Sequence, residues 1–427
     1  MSGINSDDKT EIRFDGKVAV VTGAGAGLGR VYAIELAKRG AKLVVNDLGG
    51  PRDGSGQGSA GPADSVVEEI RALGGEAVAA YNSVATPEGG EAIVKKAVET
   101  FGRLDVLINN AGILRDKSLA KMEPHEWQAV RSVHLDGAYN VSRPAFIQMK
   151  ENGYGRIIMT TSASGLYGNF GQSNYAAAKM GVVGLMNTLK LESAKYDIKV
   201  NTIAPMAATR LTEDVMPADL QEKVRPEFVA PLVLYLCSDR CTATGMIFNA
   251  VVGRFNRVAL KTGPGAVVGD GNTPPSVEQI HLQWAAINSL DGACEHYNAT
   301  EALRSMVEAF SHEQDVPASS EPITVKDVFD RMGEVFQPEK AAGVDVIFQY
   351  RISGPGGGEW YAIVKDGRCE TASGTHEKPT TTFIMSDEDF LALMGGRLNA
   401  VKAYSSGKLK IEGDLMKSQL VQKLFKF

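Results

Sequence analysis

Six short apolar runs rich in valine and isoleucine, at residues 18–21, 43–45, 77–80, 106–108, 157–159 and 200–203, alternate with helix-length segments in the first half of the 427-residue chain. Continuous rather than alternating hydrophobicity suits strands buried on both faces, the condition of a parallel sheet covered by helices on each side. The first domain is therefore expected to be α/β, a doubly wound parallel sheet. In such sheets ligands bind beyond the carboxyl ends of the strands, so the residues that follow each run are those to read for chemistry. Residues 48–63, rich in glycine, proline and serine, are too long and polar for an ordinary connection and read as a mobile surface loop.

One hydrophobic core seldom serves a chain of this length, so two domains are expected. Past Gly253 the sheet pattern fades, and Ser276 and Gln279 form a capping box ahead of an amphipathic segment carrying Ile280, Trp284, Ile287 and Leu290. This reads as a helical extension, which ends the first domain (8–311). Residues 312–322, with Asp315, Pro317, Ser319, Ser320 and Pro322, cannot bury enough area to fix a fold and read as a linker. Residues 323–427 read as a small α+β domain, with β-like stretches at 344–350, 360–364 and 380–385 and helical ones at 387–394 and 419–425.

Gly23, Gly27 and Gly29, with Leu28 between the last two, follow the first strand and open a helix. Such a turn brings backbone N–H groups and a helix N-terminus against a pyrophosphate. Asp47 closes the second run, where a carboxylate accepts from both adenosine ribose hydroxyls and repels a 2′-phosphate. The cofactor expected is NAD. After the fifth run comes Ser162, and thirteen residues later Tyr175, four residues ahead of Lys179 on one face of a helix. A free phenol titrates near pH 10, too high for proton exchange at neutrality. The Lys179 ammonium and an oxidised nicotinamide are both expected to lower it, making Tyr175 the general base of alcohol oxidation and the acid of the reverse. Ser162 would donate to the substrate oxygen as charge develops on it.

The formal net charge of −6 and the lack of a basic tract argue against nucleic-acid binding. Cys237, Cys241, Cys294 and Cys369 lack the clustering of a metal site and fit core thiols in a reducing compartment. Residues 1–10 have no signal-peptide core and no apolar run reaches membrane-spanning length, so a cytoplasmic protein without a membrane span is expected.

Together the glycine motif, Ser162, Tyr175 and Lys179 resemble the short-chain dehydrogenase/reductase family over residues 14–253. The resemblance implies that Lys179 also holds the nicotinamide ribose, and that Tyr175 is part of the same contact. It implies that Asn109-Asn110-Ala111-Gly112 braces the sheet and lines the adenosine side, and that Ser83-Val84 lies against the adenine ring. Ala26 stands where phosphate-preferring members often carry a basic residue, which favours NAD; Arg30 and Arg52 complicate that choice. His134 stands where most members carry an asparagine that links the lysine to solvent through a kink and a water. An imidazole supports the same relay, and a satisfied core histidine fits equally.

Longer stretches, at 48–50, 112–116, 134–135, 165–172 and 201–205, resemble the (3R)-hydroxyacyl-CoA dehydrogenase part of the type 2 peroxisomal multifunctional enzymes. Residues 389–394 and 407–413 resemble the sterol carrier protein 2 family, whose members enclose an apolar tunnel. These resemblances imply an acyl-CoA or lipid substrate, a homo-oligomer with a dimer favoured, and a separate enoyl-CoA hydratase. The closing Leu424-Phe425-Lys426-Phe427 is not the tripeptide of peroxisomal import. Three functions stay open: oxidation of a (3R)-3-hydroxyacyl-CoA, oxidation of a hydroxysteroid or other secondary alcohol, and non-catalytic lipid carriage.

Overall fold

All six apolar runs are strands: β1 (Val18–Thr22), β2 (Lys42–Asn46), β3 (Ala77–Ala80), β4 (Val106–Asn109), β5 (Tyr154–Thr160) and β6 (Asp197–Met206). They pair in parallel, and β7 (Ile247–Val251) and β8 (Arg254–Val258) complete the order β3-β2-β1-β4-β5-β6-β7-β8, with β8 alone antiparallel. Alternate residues of β1 enter opposite cores. Ala19 and Val21 pack with helices α1 (Gly27–Lys38) and α2 (Gly61–Ala72), while Val18 and Val20 pack with α3 (Pro87–Phe101), α5 (Gly137–Asn152) and α7 (Ser173–Glu192). A strand covered on both faces by helices is buried at every position, as β1 and β4 are, and apolar throughout except at the carboxyl end, where Thr22 and Asn109 stand. The chain leaves β3 and crosses over to β4 beside β1, so the crevice between the ends of β1 and β4 is the switch point of the sheet.

This computed structural model describes residues 11–56, 58–207, 223–269, 271–314, 324–394, 398 and 400–425. The chain divides into two units, Met1–Glu313 and Gln314–Phe427. In the first, the expected capping box forms: Ser276 N–H donates to Gln279 Oε1 at 2.8 Å and Gln279 N–H to Ser276 Oγ at 3.3 Å. The extension splits into helices Val277–Leu282, Trp284–Ile287 and Ala299–Gln314. Trp284 and Leu290 remain 56% and 68% exposed, so the amphipathic face does not enter the core of its own unit. The last of these helices runs through residues 312–314, which were expected to begin the linker; 315–322 lie outside the described residues, as do residues 1–10.

In the second unit, β9 (Val346–Ser353), β10 (Gly358–Lys365), β11 (Arg368–Ser373), β12 (Thr381–Ser386) and β13 (Lys410–Gly413) form a sheet of order β11-β10-β9-β12-β13. Helices Val325–Arg331 and Asp387–Met394 cover one face through Phe329 and Phe390, over Phe348, Tyr350, Ala362 and Phe383. The helix read at 419–425 is realised as Leu420–Leu424, and a further short helix, Leu415–Ser418, precedes it.

Candidate active site

The turn after β1 is held by one hydroxyl. Thr22 Oγ1 accepts from the N–H groups of Asn110 and Ala111 at 3.0 and 3.1 Å, and Asn110 Nδ2 donates to the carbonyls of Thr22 and Gly23. The ends of β1 and β4 are thereby locked together, and Asn110 braces the loop as the resemblance implied. Gly23 has φ of +63°, and a Cβ there would lie 2.8 Å from Ala111 Cα. Helix α1 starts at Gly27 with no side-chain cap and no acidic residue in its first turn, leaving N–H donors for an anion.

Asp47 follows β2, and both its oxygens are engaged: Oδ2 accepts from Gly25 N–H at 2.8 Å and Oδ1 from Gly49 N–H at 2.7 Å. Two backbone donors fix the carboxylate toward the crevice while leaving each oxygen further acceptor capacity. Gly25 had no role in the sequence reading; its Cβ would sit 2.8 Å from Asp47 Oδ2, so any side chain would displace the carboxylate. Arg30 is tied to Glu69 at 2.5 Å. A cavity of about 380 Å³ opens here, lined by Gly23, Gly27, Leu28, Asp47, Ser83, Val84, Asn110 and Ala111 among others. Gly29 does not line it. It is buried under the turn, where a Cβ would lie 2.3 Å from the Gly23 carbonyl oxygen, so its service is close packing rather than contact. These residues fit a dinucleotide: an uncapped helix start, glycines whose Cβ positions are already occupied, and an oriented carboxylate.

The described residues of 48–63, expected as a mobile surface loop, are tied back to the first unit and run into α2 at Gly61. The neck closes where Gly49 and Gly58 pass so near Ser59 and Leu48 that a Cβ at either would strike a carbonyl oxygen within 2 Å. The tip is clasped by Leu114 N–H to the Arg52 carbonyl at 3.2 Å and Arg115 Nε to the Asp53 carbonyl at 2.8 Å. Leu48, Gly50, Pro51 and Gly54 then wall the cavity. Composition identified a long polar insertion, but these tertiary hydrogen bonds have no local signature.

Ser162 ends the β5 segment in extended conformation and caps α6 (Ala163–Tyr167), accepting from Ser164 N–H at 3.2 Å. Asn174, 1% exposed, donates to the carbonyl of Arg115 at 3.0 Å and accepts from Tyr175 N–H at 2.7 Å, which anchors the first turn of α7. Lys179 is 3% exposed and its Nζ donates to the Thr160 carbonyl at 2.6 Å. Nζ lies 5.7 Å from the centre of the Tyr175 ring. Gly165 lets α6 approach, since its Cβ would lie 2.8 Å from Lys179 Cβ. Tyr175 and Lys179 therefore sit together with Ser162, outside the residues that line the Asp47 cavity.

The electrostatics differ from expectation. Burial raises the Tyr175 phenol above its ordinary value, the hydrogen bond from Ser162 pulls it down, and the Asp116 carboxylate raises it. Lys179 is not among the influences lowering it. Burial has pushed Lys179 itself down to about 7, so the same dry surroundings that hold the phenol protonated also weaken the ammonium meant to oppose them. Spacing predicted the pair but not the desolvation that sets its charges.

His134 is 4% exposed in a π-helical turn, Ser132–Asp136, which supplies the expected kink. Its ring meets Tyr175 edge-on at 5.0 Å, and Nε2 lies 2.7 Å from the Ile113 carbonyl oxygen and 3.1 Å from the Ile113 nitrogen; the shorter contact needs a proton between its atoms and assigns Nε2 as the donor. Gly112 makes this possible, because a Cβ there would be 2.4 Å from His134 Cε1. Burial first, and the Lys179 charge second, hold the imidazole well below its usual range, so it is neutral. Nδ1 and Thr160 Oγ1 are buried without partners and both residues line a second cavity of about 10 Å³ with Lys179, Asn109 and Thr22. That is room for one water, in a polar setting that supplies its hydrogen bonds.

A model of the short chain dehydrogenase family matches residues 17–220, and one of the SCP-2 sterol transfer family matches residues 329–426. Peroxisomal multifunctional enzyme A of Dictyostelium discoideum is 43% identical over 440 residues, covering 95% of this chain and 96% of that protein. The chain belongs to the short-chain dehydrogenase family. It is an oxidoreductase using a nicotinamide dinucleotide, and its second unit carries an SCP-2 domain. Peroxisomal multifunctional enzyme type 2 of Mus musculus is 49% identical over 297 residues, 70% of this chain but 40% of that longer protein. Among solved structures, a 7α-hydroxysteroid dehydrogenase complexed with NADH and 7-oxo glycochenodeoxycholic acid is 29% identical, covering 59% of this chain and 98% of that one, with a TM-score of 0.52. Among the described residues no helix is long and apolar enough to cross a membrane, and no group of three potential metal ligands occurs.

Proposed function

We propose that this short-chain dehydrogenase oxidises (3R)-3-hydroxyacyl-CoA thioesters to 3-oxoacyl-CoA with NAD, in a β-oxidation-type sequence, and that its SCP-2 domain binds the lipid. The observation that carries the reading is the group of half-buried Ser162 and Tyr175 with buried Lys179, beside the Asp47 cavity, in a chain so similar to multifunctional enzyme A. When bound, the nicotinamide supplies the hydride acceptor and, oxidised, a positive charge. That charge would oppose the burial that holds the Tyr175 phenol protonated; as phenolate, Tyr175 Oη takes the proton of the substrate hydroxyl, and the Ser162 hydroxyl donates to the same substrate oxygen as negative charge gathers there. Lys179 holds the nicotinamide ribose and, titrating at about 7, exchanges a proton at neutral pH. Neutral His134 is a positioning residue: its Nδ1 and the Thr160 hydroxyl hold one buried water against Lys179.

Specificity for NAD over NADP rests on the Asp47 carboxylate and on Arg30 being engaged by Glu69. Domain limits at 8–311 and 323–427, a homodimer, and a separate enoyl-CoA hydratase belong to the same reading. Named relatives are peroxisomal, so a peroxisomal site stands beside the cytoplasmic one, and fractionation of tagged protein decides. A hydroxysteroid dehydrogenase is the second reading, favoured by the likeness to the 7α-hydroxysteroid enzyme. Following NADH formation with a panel of (3R)-hydroxyacyl-CoAs and steroid alcohols separates the two. Turnover of steroids with no (3R) thioester oxidised removes the first reading.

A further inference from the structure

The core of the second unit contains two hydrogen-bond donors that nothing among the described residues satisfies. Tyr350 on β9 and Trp360 on β10 are directly opposed across the antiparallel pair, so both side chains stand on the covered face of the sheet. Tyr350 is 2% exposed, and its hydroxyl and the Trp360 Nε1–H are buried without partners. Phe329 roofs both, stacked on the Trp360 ring at 4.9 Å and edge-on to Tyr350 at 5.1 Å. Phe383 stacks on Tyr350 at 5.1 Å, and Phe390 lies 6.0 Å from it. Every neighbour named is a hydrocarbon ring, able to fill space but unable to accept a hydrogen bond. Burying a donor without an acceptor is costly, and two on facing residues of one core call for a common partner.

We propose that the SCP-2 domain holds its lipid with a neutral oxygen, an alcohol or carbonyl, directed inward to accept from Tyr350 Oη and Trp360 Nε1. This rests on the reading that the domain binds lipid and adds which end enters and what group it carries. A carboxylate or thioester-linked nucleotide is excluded from that inner position, because two neutral donors among aromatic rings do not offset the desolvation of a charge. A plain hydrocarbon fits the apolar walls but leaves both donors unmade. The ligand class is therefore long-chain alcohols, sterol alcohols and neutral acyl carbonyls.

The test uses the full chain and a pyrene-labelled alkane as reporter, displaced by hexadecane, 1-hexadecanol or palmitate. The alcohol is expected to displace about tenfold more tightly than the alkane, the value of one well-made hydrogen bond. In the double variant Tyr350→Phe, Trp360→Phe that preference is expected to fall to about unity, while alkane binding persists. Because the readout is a ratio, packing losses in the variant cancel. Equal binding of alcohol and alkane by the wild type, a preference that survives in the double variant, or palmitate as the tightest ligand overturns the inference and leaves lipid binding standing. Failure of the reporter and every ligand to bind overturns lipid binding itself.

Discussion

Replacing Lys179 by Met is expected to abolish turnover and at the same time make the protein more stable. The ammonium is 3% exposed, and burial has lowered its titration from 10.5 to about 7. At about 1.36 kcal/mol per pH unit, that fall corresponds to about 5 kcal/mol of differential cost. Methionine keeps the length of the chain and removes the charge. It leaves the Thr160 carbonyl without its 2.6 Å donor, a loss of about 1–2 kcal/mol, so the net gain at pH 7 is about 3 kcal/mol. Between pH 7 and 10.5 the unfolded chain binds the lysine proton more than the folded chain does, so wild-type stability rises with pH across that window. The advantage of Lys179→Met must shrink correspondingly toward pH 10. Urea unfolding of the first unit, followed by intrinsic fluorescence at pH 7 and pH 9.5, measures both. A variant less stable than wild type at pH 7, or a gain that does not change with pH, refutes the claim that burial dominates this lysine.

Three further outcomes follow from the geometry. Asp47→Ala should raise the KM for NAD roughly tenfold to hundredfold, the loss of charge-assisted bonds to the ribose, while narrowing the preference over NADP; steady-state kinetics with both cofactors checks it. Gly112→Ala forces a Cβ to 2.4 Å from His134 Cε1, so it should cost about 1–3 kcal/mol of stability in thermal unfolding and lower kcat, whereas Gly184→Ala, at an exposed helical position with open space around it, should do neither. Because burial keeps His134 neutral, the kcat/KM profiles of wild type and His134→Gln should superimpose in shape between pH 5 and 8, and an inflection near 6.5 present only in wild type contradicts this.

Strands β1 to β6 and the glycine turn were legible because both faces of the sheet are covered, even at the β3 edge, and because a tight approach to backbone leaves glycine alone. The strands not anticipated have a common place in the fold. β8, β11 and β13 each lie at the edge of a sheet, where one side of the backbone and much of each side chain meet water. Their sequences, such as Arg254-Phe255-Asn256-Arg257, are accordingly polar and lack the apolar run that marks a buried strand. β7 was lost with its neighbour, since the Val252-Gly253 turn that joins them is not one of the usual hairpin pairs. At the site, Ser162, Tyr175 and Lys179 were visible by spacing, whereas Thr22, Gly25, Gly112 and Asn174 act through contacts with residues distant in sequence. The raised phenol and weakened ammonium are likewise products of burial, which no local pattern encodes.

In the proposed mechanism the proton of a substrate held by Ser162 passes to the Tyr175 oxygen. The direct test is NADH formation from a (3R)-3-hydroxyacyl-CoA by Tyr175→Phe, with NADH binding measured alongside by fluorescence. Binding retained within a few fold, with turnover reduced at least about a thousandfold, is the predicted result. Turnover near the wild-type rate in a variant that binds NADH normally would contradict it.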